Sequence, residues 1–302
     1  MINPPYRIGT RDSQLALWQA RKVESMFKKL GHNTEVIPTK SEGDLNLNQP
    51  IYSLGIQGVF TKALDISLLD HQIDLAVHSL KDVPTQLPEG LVLAAVLERG
   101  SAQDVLITKD QKDFDQTATI ATSSLRRKAQ WLHRFPNHRL VDIRGNVQTR
   151  IKKLSASDWH GAIFAKAGLQ RSGLLGSAYR ELDWMIPAPA QGAIGVVCRA
   201  EDDPLIQELL KINHHPTEIC VNVERTLLRT VEGGCSTPIG AHAVINKNTI
   251  KLMAGVFSLD GQAAVTALKD GELNDHVELA QHMAEELLTA GGDKILETIR
   301  NQ

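Results

Sequence analysis

Arginines follow predicted strands at several points of this sequence, where their guanidinium groups could bind an anion. Between Ser123 and Lys153 there are nine Lys or Arg residues and one acid, Asp142, although the formal net charge of the whole chain is only -2. A local basic excess in a near-neutral chain indicates an anionic ligand or facing acids. We predict anion binding for four arginines at strand ends or in first helical turns: Arg126, Arg127, Arg144 and Arg150. For the other basic residues of the segment we predict a solvated helix face: Lys128, Arg134, Arg139, Lys152 and Lys153.

The segment TIATSSLRR predicts a strand, an N-cap at Thr122 or Ser123, and a helix that begins near Ser124. The free N–H groups and the positive end of that helix would lie beside Arg126 and Arg127. The composition argues against nucleic acid as the ligand, because aromatic residues make up only 4% of the chain and no nucleic-acid-binding motif is present. A small ligand with several carboxylates or phosphates fits better.

A lysine and an acid, Lys81 and Asp82, follow the predicted strand IDLAVHS, and Pro84 then turns the chain. One interpretation is a structural ion pair between Asp82 and nearby arginines. The other, which we favour, is that an acid at a strand end inside a cationic region stabilises a transient cation.

The chain has three cysteines, an odd number without C-x-x-C spacing, so neither a disulfide framework nor a metal site is predicted. Cys235 follows Gly233 and Gly234, and this spacing predicts a tight loop. A buried, inert thiol is the usual fate of a lone cysteine, but it is hard to place on such a loop. We therefore predict that the Cys235 thiol is used chemically.

The pattern of strands and helices predicts two similar α/β domains with parallel sheets facing a cleft, as in periplasmic binding proteins, plus a small C-terminal α+β domain. The first domain covers residues 1–98 with 192–214, because the strand-like GAIGVVC can return to the first sheet. The second covers residues 99–191, and the third covers residues 215–302 and carries Cys235. A Gly291-Gly292 break is predicted in the last helix.

No stretch approaches the roughly 18 apolar residues that span a bilayer, and MINPPYRIGTRDS does not resemble a signal peptide. We therefore expect a cytoplasmic protein with no membrane and no nucleic-acid partner, and a monomer.

Seven motifs occur in a fixed order between residues 7 and 240: RIGTRDSQLALWQA, HSLKDVP, ATSSLRR, RGNVQTR, AGLQR, PAPAQGA and EGGCSTPIG. Together they resemble the hydroxymethylbilane synthase family, also called porphobilinogen deaminases. The resemblance implies an enzyme of tetrapyrrole (heme) biosynthesis, a transferase that joins four porphobilinogen molecules head to tail. Four ammonia molecules are released, and the product is hydroxymethylbilane.

The resemblance also implies a dipyrromethane cofactor held by a thioether to Cys235, and a catalytic role for Asp82 with Lys81. Porphobilinogen carries carboxylates, which suit bidentate binding by arginine. The residues expected to bind the cofactor are Lys81, Asp82, Thr122, Ser124, Arg126, Arg127, Arg144 and Arg150, besides Cys235. Those expected to bind substrate are Arg11, Ser13, Arg144, Arg150 and Arg171.

The sequence departs from the family pattern in three places, one of which is GVVC, where the acid often found just before Cys198 is missing. The loop from Tyr52 to Gly58 lacks the lysines that family members often carry, and Ala190 stands where a glycine is common. Two other classes stay open at this point. A solute-binding or sensor protein for a polycarboxylate could use the two-domain cleft, but it would have no use for Cys235. A polyanion-binding protein could use the arginines, but it would not need Asp82.

Overall fold

The computed structural model describes residues 4–40, 61–109, 117–231 and 237–301. The chain divides into two compact units, Met1–Gly100 with Gly192–Glu218, and Ser101–Gln191 with Ile219–Gln302. The predicted division into three domains stays a prediction. Among the described residues, no helix is both long enough and apolar enough to cross a membrane.

The first part of the chain alternates strands and helices. Its described elements are β1 (Tyr6–Arg11), α1 (Gln14–Lys29), β2 (Thr34–Thr39), α2 (Lys62–Leu69), β3 (Leu75–Ser79), a 3₁₀ turn (Leu80–Asp82) and β4 (Leu91–Val96). Ser13 is the N-cap of α1, and its Oγ accepts a hydrogen bond from Ala16 N at 3.2 Å. The helix therefore begins directly after β1.

The second part repeats this plan. Its described elements are β5 (Asp104–Thr108), β6 (Thr119–Ala121), α3 (Leu125–Arg134), β7 (Arg139–Val141), α4 (Val147–Ala156), β8 (Gly161–Ala165), α5 (Lys166–Arg171) and β9 (Tyr179–Glu181). The N-cap of α3 is Ser124, so the predicted cap at Thr122 or Ser123 is wrong. Ser123 instead exchanges hydrogen bonds with the backbone of Ile143, at 3.0 and 2.9 Å.

The remaining described elements are β10 (Ile194–Arg199), α6 (Asp203–Leu210), α7 (His215–Thr230), β11 (Ile239–Asn246), β12 (Thr249–Phe257), β13 (Ala264–Glu272), α8 (His276–Leu287) and α9 (Asp293–Arg300). The last three strands form an antiparallel sheet in the order β11-β12-β13. Its core includes Leu252, Met283 and Leu287. Gly291 has a φ of 110°, which ends the regular helix at the predicted Gly-Gly break.

The two five-stranded sheets have the same topology. The first has the order β2-β1-β3-β10-β4 and the second the order β7-β6-β8-β5-β9. Three neighbouring strands in each are parallel, and the fourth, β10 or β5, is antiparallel to both of its neighbours. The α/β prediction and the return of GAIGVVC to the first sheet are confirmed. The antiparallel strands mean that the sheets are not wholly parallel.

Each sheet has its own apolar core. Ile8, Phe27 and Leu75 lie in the core of the first sheet, and Ile120 and Trp131 lie in the core of the second. These buried side chains fix the strands, so that the carboxyl ends of the parallel strands lie at one edge of their sheet. The polar residues that follow those strands are thereby brought together within each unit.

Candidate functional site

The first unit has a small pocket where β1 and β3 end. It has a volume of about 60 Å³ and is lined by Arg11, Ser13, Leu15, Ala16, Gln19, Val77, His78, Ser79 and Asp82. Arg11 is the last residue of β1, Ser13 caps α1, and Asp82 ends the 3₁₀ turn after β3. The structure therefore brings three predicted site residues to one pocket wall. Lys81 lies in the same 3₁₀ turn but is not among the lining residues.

Three polar residues of this pocket had no role assigned from the sequence: Gln19, His78 and Ser79. Although Gln19 is polar, it lies on the buried, apolar face of α1 and is only 1% exposed. Its Nε2 donates to Ser79 Oγ at 2.8 Å, which joins α1 to the end of β3. The signal was a glutamine at core spacing among Ala16, Ala20 and Val23, since such positions are normally apolar.

The imidazole of His78 is buried on β3. Burial, and next the positive charge of Arg11, lower its pKa to about 4. The ring is therefore neutral near pH 7 and adds no positive charge to a pocket that already contains Arg11. Asp82 lies on the same pocket wall.

The second unit places Arg126 and Arg127 in the first turn of α3, where both are 5% exposed. A solvated helix face is therefore excluded for these two residues. Both contact Asp104, the fully buried first residue of β5. Arg126 Nη2 lies 2.7 Å from Asp104 Oδ2, and Arg127 Nη2 lies 2.7 Å from Asp104 Oδ1.

Backbone carbonyls complete this arginine pair. Arg126 Nη1 donates to Ile186 O at 2.7 Å, and Arg127 Nη1 donates to Ile163 O at 3.2 Å. The Nε atom of Arg126 is buried without a hydrogen-bond partner among the described residues. Burial and the positive charge of Arg127 together lower the pKa of Arg126 more than the charge and hydrogen bond of Asp104 raise it.

Two guanidinium groups share one carboxylate here, which leaves one positive charge in excess within this described cluster. Buried charge is costly unless it is compensated. A carboxylate from a ligand would offset the excess and could bond Arg126 Nε, so the cluster fits a ligand with carboxylates. Asp104 was missed from the sequence, because an acid directly before an apolar strand gives no signal of its partners 22 and 23 residues away.

Thr122 and Ser124 support the start of α3. Ser124 Oγ accepts from Arg127 N at 3.5 Å, and Thr122 Oγ1 accepts from Ser124 N at 3.3 Å. Their hydroxyl oxygens therefore organise the same turn that presents the two arginines.

Arg144 and Arg150 lie in the next strand-helix connection, after β7. Arg144 is 9% exposed. Arg150, on α4, donates from Nε to Gly145 O at 2.8 Å, and Asn146 caps α4. Gly145 has a φ of 113°, a conformation suited to glycine. Because β6 and β7 are parallel, this turn and the start of α3 lie at the same edge of the sheet. The hydrogen bond between Ser123 and Ile143 also links the two connections.

Arg171 is the last residue of α5, which follows β8. Burial lowers the pKa of its guanidinium to about 10. The other basic residues of the segment are placed differently. Lys128 pairs with Asp142 at 2.7 Å and Lys153 donates to Arg144 O at 3.1 Å, whereas Arg134, Arg139 and Lys152 are exposed.

Cys235 and the loop from Tyr52 to Gly58 lie outside the described residues. Cys198 and Cys220 are both buried, and burial raises the pKa of the Cys198 thiol to about 11. A buried thiol with a raised pKa is a poor nucleophile. Ala190 has a φ of 60°, which explains in physical terms why a glycine is common at this position.

Two family models match the chain. One is described as "porphobilinogen deaminase, dipyromethane cofactor binding domain" and matches residues 6–207. The other is described as "porphobilinogen deaminase, C-terminal domain" and matches residues 218–289. Together they define a two-part enzyme family to which nearly the whole sequence can be aligned.

Full-length relatives agree with the family models. The chain is 44% identical over 301 residues to a porphobilinogen deaminase of Desulforamulus reducens, with 97% of each chain covered. It is 42% identical over 300 residues to that of Trichlorobacter lovleyi, covering 97% of this chain and 96% of the relative. This chain belongs to the porphobilinogen deaminase family.

Among solved structures, the periplasmic VFT2 domain of Bordetella pertussis BvgS is similar with a TM-score of 0.43 and 12% sequence identity. The similarity covers 69% of this chain and 86% of that domain.

Proposed function

We propose that this protein is a hydroxymethylbilane synthase, which joins four porphobilinogen molecules head to tail, releases four ammonia molecules and then releases hydroxymethylbilane. The observation that carries the proposal is the match of both porphobilinogen deaminase models, which together reach from residue 6 to residue 289. The carboxylate-binding chemistry of the two strand-end sites supports it independently.

The first unit supplies the residues proposed to act on the substrate. Arg11 attracts a carboxylate of porphobilinogen into the pocket, and the hydroxyl of Ser13, whose oxygen accepts from Ala16 N, donates a hydrogen bond to it. Asp82, when ionised, stabilises the positive charge that develops on the substrate as its amino group leaves as ammonia. After the new carbon–carbon bond forms between this cation and the terminal pyrrole, the same carboxylate accepts the proton that the terminal pyrrole loses as it regains aromaticity. Lys81, in the adjacent turn position, orients the bound pyrroles.

The second unit supplies the residues proposed to hold the growing pyrrole chain. Arg126 and Arg127 bind carboxylates because Asp104 neutralises only one of their two charges. Arg144, Arg150 and Arg171 follow the neighbouring parallel strands and bind further carboxylates. Thr122 and Ser124 hold the first turn of α3 in position for this contact.

A dipyrromethane group fits this site, because a polycarboxylate would compensate the excess charge beside Asp104 and bond the buried Nε of Arg126. When bound, this cofactor supplies the terminal pyrrole carbon to which the first substrate unit is joined. The residue proposed to attach it is Cys235, since the thiols of Cys198 and Cys220 are both buried. The finer proposals are that the protein acts as a monomer and in the cytoplasm.

The direct test is to incubate the purified protein with porphobilinogen and to measure ammonia and linear tetrapyrrole together. We expect about four ammonia molecules per tetrapyrrole released, the ratio that the proposed condensation requires. Binding of porphobilinogen without ammonia release would instead support the solute-binding alternative. Analytical ultracentrifugation and cell fractionation test the proposed monomer and its location.

A further inference from the structure

The pocket of the first unit contains a polar atom that the described residues do not satisfy. His78 is 5% exposed, and its Nε2 is buried without a hydrogen-bond partner among the described parts of the chain. The residue is held in place by the sheet, because β3 pairs with β10 and His78 lies opposite Gly195. Buried polar side-chain atoms normally have a hydrogen-bond partner. A ligand that enters the pocket can provide one.

Two other polar residues of the pocket, Gln19 and Ser79, already have hydrogen-bond partners. Gln19 and Ser79 bond to each other, with Gln19 Nε2 donating to Ser79 Oγ at 2.8 Å and Ser79 Oγ donating to Gln19 Oε1 at 3.3 Å. The charged groups on the pocket wall are Arg11 from β1 and Asp82 from the 3₁₀ turn. The imidazole is close enough to Arg11 for that charge to affect its protonation.

A neutral imidazole has one N–H donor and one acceptor nitrogen. Because burial and Arg11 lower the pKa of His78 to about 4, the ring keeps this form near neutral pH. Neutrality has a consequence for the neighbouring acid. A cationic side chain at position 78 could pair with Asp82 and remove the negative charge that the proposed reaction uses, whereas a neutral donor leaves that charge in place.

We propose that His78 is a specificity-determining residue that donates a hydrogen bond from its imidazole to a carboxylate of the incoming pyrrole, beside Arg11. This inference rests on the proposed function and adds a residue to the same site. A carboxylate attracted by Arg11 arrives next to the imidazole, and burial, the larger cause of its lowered pKa, still keeps the ring neutral. A pocket of about 60 Å³ has room for a group of carboxylate size.

The test compares His78→Leu, which removes the donor, with His78→Gln, which keeps a neutral N–H donor. Intact mass spectrometry first verifies that both variants carry the same covalent cofactor as the wild-type holoenzyme. Loss of a hydrogen bond to a charged group predicts an increase of about tenfold or more in KM for porphobilinogen in His78→Leu. We expect kcat to stay within about threefold. In His78→Gln, KM should return to within about threefold of the wild-type value, a rescue that a purely structural role for the ring does not predict.

A second measurement is made on the wild-type holoenzyme, and a variant serves only to assign the signal. In ¹⁵N spectra of histidine-labelled protein, the His78 resonance is assigned by its absence from His78→Gln. We expect a neutral ring whose signal moves when porphobilinogen is added.

Three outcomes would overturn the inference: an unchanged KM in His78→Leu, a His78→Gln variant as impaired as His78→Leu, or a His78 signal that does not move at saturating porphobilinogen. These outcomes concern His78 alone if the wild-type enzyme carries its cofactor and forms product. A wild-type protein that does neither would instead refute the proposed function.

Discussion

Arg127 and Asp104 form a buried ion pair in which Nη2 and Oδ1 are 2.7 Å apart, with the Arg127 side chain 6% exposed and the Asp104 side chain fully buried. Asp104 binds Arg126 through its other oxygen. One carboxylate thus fixes the two guanidinium groups that begin α3, while their combined charge exceeds its own. This relationship gives the arginines a structural role, and its excess positive charge is the basis of the anion binding proposed for them.

Removing the charge of Asp104 should destabilise the second unit. In Asp104→Asn two buried guanidinium groups lose their common counter-ion, which predicts a loss of about 3 to 5 kcal/mol in the free energy of unfolding. Urea unfolding followed by circular dichroism measures it. The control is Asp142→Asn, because Asp142 is exposed and its partner Lys128 lies on α3, the helix that also carries Arg126 and Arg127. This control should cost less than about 1 kcal/mol. Equal losses in the two variants would contradict the role of the buried pair.

Removing the charge of Asp82 should affect catalysis rather than folding. Asp82→Asn preserves the size of the side chain but cannot stabilise a developing cation, so kcat should fall about a hundredfold or more. The unfolding midpoint should change little, because Asp82 is only partly buried. Asp70→Asn, at an exposed position at the end of α2, should retain normal turnover. Near-normal turnover in Asp82→Asn would refute the proposed catalytic role.

The arginines should differ in the step that they affect. Arg126→Leu and Arg127→Leu should hinder assembly of the cofactor, whereas Arg11→Leu should chiefly weaken the addition of new pyrrole units. Native mass spectrometry at limiting porphobilinogen resolves the successive enzyme species. Exposed Arg134 lies over the ring of Trp184, 5.1 Å from its centroid, so Arg134→Leu should leave the series of species almost unchanged. If Arg134→Leu disturbs the series as strongly as Arg126→Leu, the basic segment acts as a diffuse field instead.

Asp74 should make the stability of the first unit depend on pH in acid. Burial raises the pKa of Asp74, but hydrogen bonds from Arg7 and the charges of Arg7 and Arg199 outweigh burial and hold that pKa below its ordinary value. A depressed carboxyl pKa stabilises the fold above the unfolded-state pKa of about 4, and this contribution is lost as pH falls through the folded-state pKa.

Asp74→Asn should therefore lower the free energy of unfolding at pH 7 by about 1 to 3 kcal/mol. The difference from wild type should shrink below about pH 4, since the wild-type carboxyl is then protonated as well. Urea unfolding between pH 3 and pH 7 measures both effects. Asp270→Asn, which removes an exposed carboxyl 3.8 Å from Lys251, is the control. A loss that is the same at pH 3 and pH 7 would contradict the ionic origin.

Local signals in the sequence predicted most of the secondary structure. Ser13 caps α1, β12 begins with alternating exposed and buried residues, and Gly291 interrupts the last helix. These features depend on neighbouring residues, through capping, alternation and the conformational freedom of glycine. The repeated strand-helix pattern also predicted two similar sheets.

The parts that the sequence did not reveal depend on contacts distant in the chain. The partners of Arg126 and Arg127 could not be read from their own segment, because Asp104 reaches them only when β5 is inserted antiparallel beside β8. Gln19 and His78 likewise line one pocket only when α1 packs against the end of β3. Composition and spacing indicated an anion site, but the balance of charge within it required the tertiary structure.

The intact mass of the purified protein and of its three cysteine variants tests the central claim most directly. We predict that the wild-type protein is heavier than its sequence by two pyrrole units, and that peptide mapping locates this adduct on Cys235. Cys235→Ala should be folded but without adduct and product, whereas Cys198→Ala and Cys220→Ala should retain both, since those thiols are buried. An unmodified wild-type mass, or an adduct that persists in Cys235→Ala, would contradict the account.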